Sequence, residues 1–219
     1  MPLKAKLLYL LVATAVMTAS CSDDHSWAPP YITDFAELTT DDSGAIVGMA
    51  LDNGKKFERT KFVAKCANAN GLVADTVYRS ICLYTVQDNV ATLHSYSHAF
   101  APEPITPDML ADDEIKTDPC VIQSIWRGGS YVNALMLVQG KDQPHIVGFI
   151  DKGIADGEYK TLTIVLYHDQ NNDPEAFTRT IYISCPLYSY EGQLHSERDS
   201  IAFVVNQQDK GMTTFMLPY

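Results

Sequence analysis

The octet His168-Asp169-Gln170-Asn171-Asn172-Asp173-Pro174-Glu175 places an oxygen-bearing side chain at every second position, Asp169, Asn171, Asp173 and Glu175, the spacing by which a calcium loop presents its ligands. The rest of that loop is missing. Pro174 stands where the loop needs glycine, and Thr180 stands where it needs a bidentate glutamate. The run therefore predicts a polar hairpin turn, with a weak calcium site as the alternative. His94 and His98 form a second donor pair, but on one strand face they would lie about 13 Å apart at roughly 3.3 Å per residue. They cannot share an ion there and read as half-exposed sheet residues. Cys66, Cys82, Cys120 and Cys185 are an even set in an exported chain, which allows one bridge in each half. A bridge closing the fifteen residues between Cys66 and Cys82 would add about 3 kcal/mol. Against it, Cys185 falls on an apolar strand face, where a thiol packs as a small hydrophobe. No H-E-x-x-H, G-x-S-x-G, glycine-rich phosphate loop or C-x-x-C occurs. The residue pattern thus assigns no catalytic residue, no metal and no cofactor, and leaves only a Ser/His/Asp set assembled across the fold as a hydrolase alternative. Trp126, Tyr131, Tyr188 and Tyr190 flank expected turns. They read as core or edge filling, or else as a platform for a glycan or protein partner.

Cys21 offers a different chemistry. Lys4 and Lys6 precede an apolar run from Leu7 to Met17; at eleven residues it is short of the roughly 20 needed to span a bilayer and has the form of a secretory signal. Residues 1–20 are read as that signal. Thr18-Ala19-Ser20-Cys21 resembles a bacterial lipobox, in which the cysteine sulfur is acylated and the chain is cut before it; Thr18 departs from the usual leucine. Each buried CH₂ of an acyl chain contributes about 0.8 kcal/mol, and more than one chain anchors stably. Ser22-Asp23-Asp24 resembles the serine-plus-acidic signal that sends lipoproteins of Bacteroidota-type bacteria to the outer face of the outer membrane. The expected location is the outer membrane, lipid-anchored and exposed at the cell surface, with the periplasmic face as the alternative. Residues 21–30 read as a tether stiffened by Ala28-Pro29-Pro30.

The chain has 219 residues with 16 basic against 27 acidic, and loss of Lys4 and Lys6 with the signal leaves 14 basic. That balance argues against nucleic acid, whose phosphates are bound by Lys and Arg.

The elements that must position these residues are strands. Almost no stretch keeps a helical period for three turns, so the chain reads as all-β. Ala45 to Leu51 and Lys55 to Val63 flank Asp52-Asn53-Gly54, a strong hairpin signal. Tyr31 to Thr40, Thr76 to Val86 and Val90 to Phe100 bring the first half to five strands. Prolines 102, 104 and 107 then mark a domain boundary near residue 103, or a turn within one domain, with Thr106 capping a short helix that starts at Pro107. Beyond it come Cys120 to Trp126, Tyr131 to Val138, His145 to Ile150, Tyr159 to Tyr167, Phe177 to Cys185, Ser200 to Asn206 and Met212 to Leu217, at intervals typical of a β-sandwich. In Phe177 to Cys185 the period of two sets Phe177, Arg179, Ile181, Ile183 and Cys185 on a packed face and Thr178, Thr180, Tyr182 and Ser184 on a wet one.

Three blocks, "SIWRGGSYVNALMLVQG" (Ser124 to Gly140), "LTIVLYHDQNNDPEAFTRTIYISCPLY" (Leu162 to Tyr188) and "DSIAFVVNQQDKG" (Asp199 to Gly211), together with "YITDFAELTTDDSG" (Tyr31 to Gly44), resemble the NigD-like lipoproteins. The resemblance implies an N-terminal OB-like barrel over residues 31–102 and a C-terminal immunoglobulin-like β-sandwich over 103–219. It also implies a non-enzymatic surface lipoprotein with a binding or protective role, named for a bacteriocin gene cluster in which immunity was inferred by neighbourhood. A carbohydrate-binding module of a surface glycan system is the alternative. The four later cysteines depart from the family pattern, so the resemblance implies no disulfide pairing.

Overall fold

The computed structural model describes residues 29–55, 57, 59–63, 66, 71–110 and 114–219. Cys21, Ser22, Asp23 and Asp24, and the signal before them, lie outside the described residues. No helix among those described is long and apolar enough to cross a membrane.

The chain is all-β, as the period of two predicts. β1 (Ile32–Thr40), β2 (Ile46–Leu51), β3 (Arg59–Phe62), β4 (Val77–Gln87) and β5 (Val90–His98) form one sheet in the order β2-β1-β4-β5-β3. All neighbours are antiparallel except β3, which runs parallel to β5. The sheet curls into a nearly closed OB-like barrel whose open seam lies between β2 and β3. Ala36, Leu38, Ile46, Leu51, Tyr84 and Leu93 fill it. The β4–β5 turn uses Asp88 at φ 49° and Asn89 at φ 57°, residues that tolerate the left-handed region a tight hairpin demands.

The Asp52-Asn53-Gly54 turn forms, with Gly54 at φ 69° and its N–H donated to Leu51 O at 3.0 Å, but it closes no hairpin. β3 begins at Arg59 and pairs with β5, setting Phe62 beside Leu93. An Asn-Gly signal specifies the local reversal; the partner of the following strand is chosen by the barrel core.

β6 (Val121–Gly128), β7 (Tyr131–Gly140) and β10 (Phe177–Pro186) form a sheet in the order β10-β7-β6. β8 (Ile146–Ala155), β9 (Thr161–Asp169), β11 (Ser200–Gln207) and β12 (Gly211–Pro218) form a second in the order β12-β11-β9-β8. Met136, Phe149, Leu162, Ile164, Ile183, Ile201 and Phe203 fill the space between them. The Phe149 and Phe203 rings meet edge-on at 6.0 Å.

β7 is buried on both faces. Val132, Ala134, Met136 and Val138 enter the sandwich core, while Tyr131 and Asn133 are buried on the other side because the barrel packs there. This accounts for the continuous apolar run of the strand. It also corrects the two-faced reading of β10. Thr178 and Thr180 are exposed, but Ser184 is wholly buried under the barrel, and Phe177, at the strand's start, is exposed.

The segment 99–110 covers open edges, a protection sheets require. Phe100 donates to Tyr182 O and accepts from Ser184 N–H along β10, and Ile105 does the same between Phe149 O and Asp151 N–H along β8. Its helical piece is a single 3-10 turn, Pro107–Met109, with Pro107 first; the Thr106 side chain makes no capping bond.

Candidate functional site

Arg79 is the third residue of β4, with its side chain 4% exposed, a position that needs partners for all its donors. Nη1 and Nη2 fork onto Asp52 Oδ1 and Oδ2 at 2.5 Å each, Nη2 also donates to Asn133 Oδ1 at 2.9 Å, and Nε donates to Ser184 Oγ at 2.9 Å. The guanidinium lies 3.8 Å over the Tyr131 ring and 5.2 Å over Phe35. Asn133 Nδ2 returns a bond to Asp52 Oδ2 at 2.7 Å, and Ser184 Oγ donates to Asn133 Oδ1. Asp52, Arg79 and Phe35 come from the barrel; Tyr131, Asn133 and Ser184 come from the sandwich. A bidentate Arg–carboxylate pair fixes orientation as well as energy, so this cluster holds the two domains in register. Gly128 permits the approach, since a Cβ there would stand 2.8 Å from Asp52 Oδ2 and 2.9 Å from Asn133 Nδ2. Beside it, Tyr131 donates to Glu37 Oε1 at 2.8 Å, and Tyr188 contacts the same carboxylate. Burial, reinforced by that contact, pushes the Tyr188 phenol up to about 12.

Next to this tie the domains leave a crevice of about 430 Å³. Phe35 stands on its barrel side, and Trp126 and Tyr182 rise from β6 and β10. Both rings meet Phe35 edge-on, at 5.5 and 6.1 Å. Asp34, Asn53 and Arg127 add polar atoms to the lining. Asp34 Oδ2 accepts from Tyr84 at 2.7 Å. Arg127 Nη1 reaches Tyr131 O at 3.4 Å, while its Nε has no hydrogen-bond partner among the described residues.

The Asp169–Glu175 run builds a different structure. Asn171 and Asn172 take φ 53° and 55°, and Asp173 N–H closes the turn onto Gln170 O. The Asp173 side chain is fully buried. It accepts the backbone N–H of Lys141 at 2.7 Å and of Asp142 and Gln143 at 3.0 Å, and Arg179 Nη2 at 2.8 Å. Burial pulls this carboxyl up, but the three N–H donors and Arg179 outweigh it and hold the pKa down to about 2. Asp169 is engaged elsewhere, by Lys116 at 2.7 Å and Asn171 N–H at 2.8 Å. The geometry is that of the turn reading, and among the described residues no three His, Cys, Asp or Glu side chains are grouped to hold a metal. His168, the first residue of the octet, is 1% exposed. Its Nδ1 faces Asp118 O at 2.9 Å, which can only accept, so Nε2 is left to receive His145 Nδ1, also at 2.9 Å. His145 Nε2 lies 3.4 Å from Asp173 Oδ2. The hydrogen-bonded chain Asp118–His168–His145 stitches together the loops at one end of the sandwich, and it ends at His145 Nε2, which has no hydrogen-bond partner among the described residues. Gly140 makes room, for a Cβ there would fall 2.3 Å from both Arg179 Nη2 and Asp173 Oδ2.

This end is expected to be acid-labile in two stages. Burial is the main cause that lowers the His168 pKa. As pH falls from the unfolded value near 6.5 through that lowered value, the unfolded chain takes a proton the folded chain refuses, and stability drops. Asp173 adds a second loss from the unfolded value near 3.9 down toward about 2. Melting temperatures measured from pH 8 to pH 2 should show both steps, and His168→Gln should remove only the upper one.

A family model, the NigD-like C-terminal beta sandwich domain, matches residues 101–219. The chain belongs to the NigD-like family. Solved structures extend the likeness over the barrel. A NigD-like immunity protein from Bacteroides caccae is 24% identical, with 86% of this chain and 92% of that one covered at a TM-score of 0.65. A protein of unknown function from Bacteroides vulgatus is 18% identical, covering 87% and 91% at 0.66. A protein provisionally named a lipoprotein from Bacteroides fragilis is 11% identical, covering 87% and 98% at 0.57. These likenesses carry the fold. No curated protein matches.

Within this NigD-like fold the four flagged aromatics separate. Trp126 lines the crevice, Tyr131 and Tyr188 hold Glu37, and Tyr190 is buried in the sandwich core. His94 bonds Thr85 Oγ1 at 2.9 Å and His98 stacks on Tyr78, so neither reaches toward a shared ion. Reading the sequence missed Asp52, Arg79, Asn133, Phe35 and His145. The available signal was a polar residue inside an apolar strand run, as in Arg79 of "TVYRSICLYTV" and Asn133 of "YVNALMLV".

Cys82, Cys120 and Cys185 are buried free thiols, and Cys66 Sγ donates to His94 O at 3.3 Å. Burial pushes Cys82 and Cys120 up to about 12 and Cys185 well above the ordinary thiol value. Since the thiolate is the nucleophile, these three should resist iodoacetamide at pH 8 in the native protein and react fully in urea, which intact mass measures.

Proposed function

We propose that this NigD-like chain is a non-enzymatic lipoprotein of the outer membrane, acylated at Cys21 and displayed at the cell surface, where it binds a partner in a protective, immunity-like role. One observation carries the binding role: a rigid tie of Arg79, Asp52, Asn133 and Ser184 holds two domains so that an aromatic crevice stands preformed between them. Preorganised clefts at domain interfaces are where proteins take ligands. The buried histidine pair supports the non-enzymatic reading, because its described hydrogen-bond partners are each other and a backbone carbonyl. The family membership and the name of the Bacteroides caccae protein support the immunity-like role, and the lipobox-like Thr18-Ala19-Ser20-Cys21 followed by Ser22-Asp23-Asp24 supports the location.

Protease treatment of intact cells tests display. Digestion of the protein alongside other surface markers is expected, and survival of the full-length chain while those markers vanish would refute surface exposure. Challenge of a deletion strain with bacteriocins tests the role: sensitivity equal to wild type across the panel would remove immunity.

A further inference from the structure

We propose that β12 is a docking edge for a second copy of this chain, the two copies pairing β12 with β12 antiparallel about a two-fold axis at Thr214. Three observations lead to it.

The sandwich has four sheet edges, and three of them are blunted. Phe100 lies along β10 and Ile105 along β8, while β6 is broken by a bulge between Ile122 and Ser124. β12 has no such device. Its register with β11 runs without a shift from Ser200 opposite Pro218 to Gln207 opposite Gly211. No further strand pairs with it among the described residues, and Gly211 to Leu217 hold no charged residue and no proline. An edge of that kind is a template for another strand.

The direction of its free groups follows from the ladder. Tyr219 N–H donates to Asp199 O at 3.0 Å, and bonded positions alternate along an antiparallel pair, so Leu217, Phe215 and Thr213 turn their N–H and C=O groups toward β11. Met212, Thr214 and Met216 turn theirs outward. β11 has the matching phase on its other side, where Ser200 N–H donates to Lys160 O and Gln208 N–H to Cys120 O, away from β12. Side chains alternate as well. Phe215 and Leu217 pack on the sandwich core, whereas Met212 and Met216 are 56% and 58% exposed.

Met212-Thr213-Thr214-Phe215-Met216 is close to a palindrome, and this selects a second copy as the occupant. With Thr214 opposite Thr214 of the partner subunit, Met212 falls opposite Met216 of the partner subunit, and Met216 opposite Met212 of the partner subunit. Each of these pairs joins outward-turned positions, so each exchanges both main-chain bonds, and the methionines meet on one face of the sheet. Pro218 would stand opposite Lys210 of the partner subunit; having no N–H, it ends the ladder there. The chain carries 27 acidic residues against 16 basic, so two copies repel over most of their surface, and a charge-free strand is where they approach at least cost. Because β8, at the far edge of the same sheet, is covered by Ile105, the contact closes as a dimer and propagates no fibre.

The test takes the mature chain in detergent, with hydrogen exchange followed residue by residue from micromolar to near-millimolar protein and repeated with excess detergent. The amides of Met212, Thr214 and Met216 should slow about tenfold once the protein stands at ten times the dissociation constant, and sedimentation should show a mass of two chains. Thr214→Lys sets like charges opposite each other at the two-fold axis, and Thr214→Pro deletes an N–H that the single copy leaves unused. Each should raise the dissociation constant at least about tenfold with unchanged circular dichroism, whereas Val47→Lys, at an exposed site on the barrel, should leave it in place. Thr214→Lys, on an exposed side chain, is the safer variant should Thr214→Pro fail to fold. A single copy at every concentration with these amides unprotected would overturn the proposal and leave the edge to a strand of another protein. Association that follows detergent and not protein concentration, a dimer unmoved by Thr214→Lys, or assemblies larger than two would each overturn it as well. None of these outcomes bears on protease accessibility or bacteriocin sensitivity, so the anchored, protective reading stands or falls on its own experiments.

Discussion

Arg79→Ala is expected to lower the unfolding free energy by about 3–5 kcal/mol, because truncating one partner of a buried ion pair leaves the other charge without compensation. The stranded group is Asp52, whose side chain is 14% exposed and keeps only the Asn133 amide as a described donor. Asn133 and Ser184 lose a shared donor at the same time, and Tyr131 loses a cation 3.8 Å over its ring. The loss should fall mainly on the union of the domains. Urea unfolding of the wild-type chain, followed by circular dichroism and by Trp126 fluorescence, should give coincident curves. In Arg79→Ala they should separate, with the barrel melting first. Arg79→Lys keeps the charge but loses the planar fork and the stacking, so it should fall between. Replacing both members, Arg79→Met with Asp52→Leu, should cost less than Arg79→Ala alone, since no unpaired charge remains. A cost below about 1 kcal/mol for Arg79→Ala, with coincident curves, would mean that the domains are held by their apolar contacts and not by this pair.

That dependence on one pair explains which parts of the molecule could be read in the sequence. Each of the seven sandwich runs became a strand because its apolar period is set locally by which face meets the core, as in Leu162, Ile164 and Leu166 of β9. The barrel strands were legible for the same reason, but their partners were not. The Asn53-Gly54 turn reverses the chain as its residues demand, yet β3 passes β2 by for a parallel place beside β5, a choice made by barrel closure. The wet face assigned to β10 fails only at Ser184, where a second domain lands, while Tyr182 stays exposed although its ring meets Phe35. For the same reason the crevice was half visible: Trp126 stood out as an aromatic near a turn, whereas Phe35 lies in β1 of the other domain, and no local pattern links it to Trp126. The calcium-like octet misled in one respect. Asp173 has the chemistry of a ligand, but it spends that capacity on the N–H groups of residues 141–143, a loop thirty residues away whose approach no local spacing records. His145 and His168 meet because β8 and β9 pair with Val147 opposite His168, again a matter of register.

Phe203→Ala is the second large effect, an expected loss of about 3–5 kcal/mol from a cavity that the surrounding sheets cannot close. Phe203 is 0% exposed in the middle of β11, between β12 at Phe215 and β9 at Ile164, with its ring against Phe149. Phe203→Leu, which keeps most of the volume, should cost much less. Combination with Arg79→Ala gives the variant its diagnostic value. Phe203 and Arg79 share no described partner, so their costs should add to within about 0.5 kcal/mol if the two sites are independent. In the wild-type background Phe203→Ala should shift a single transition, because the Arg79 tie makes the sandwich and barrel unfold together. In the Arg79→Ala background it should shift only the sandwich transition and leave the barrel midpoint in place. Were both midpoints to move there, some coupling other than Arg79 would have to join the domains, and the aromatic contacts of Phe35 with Trp126 and Tyr182 would be the first to test.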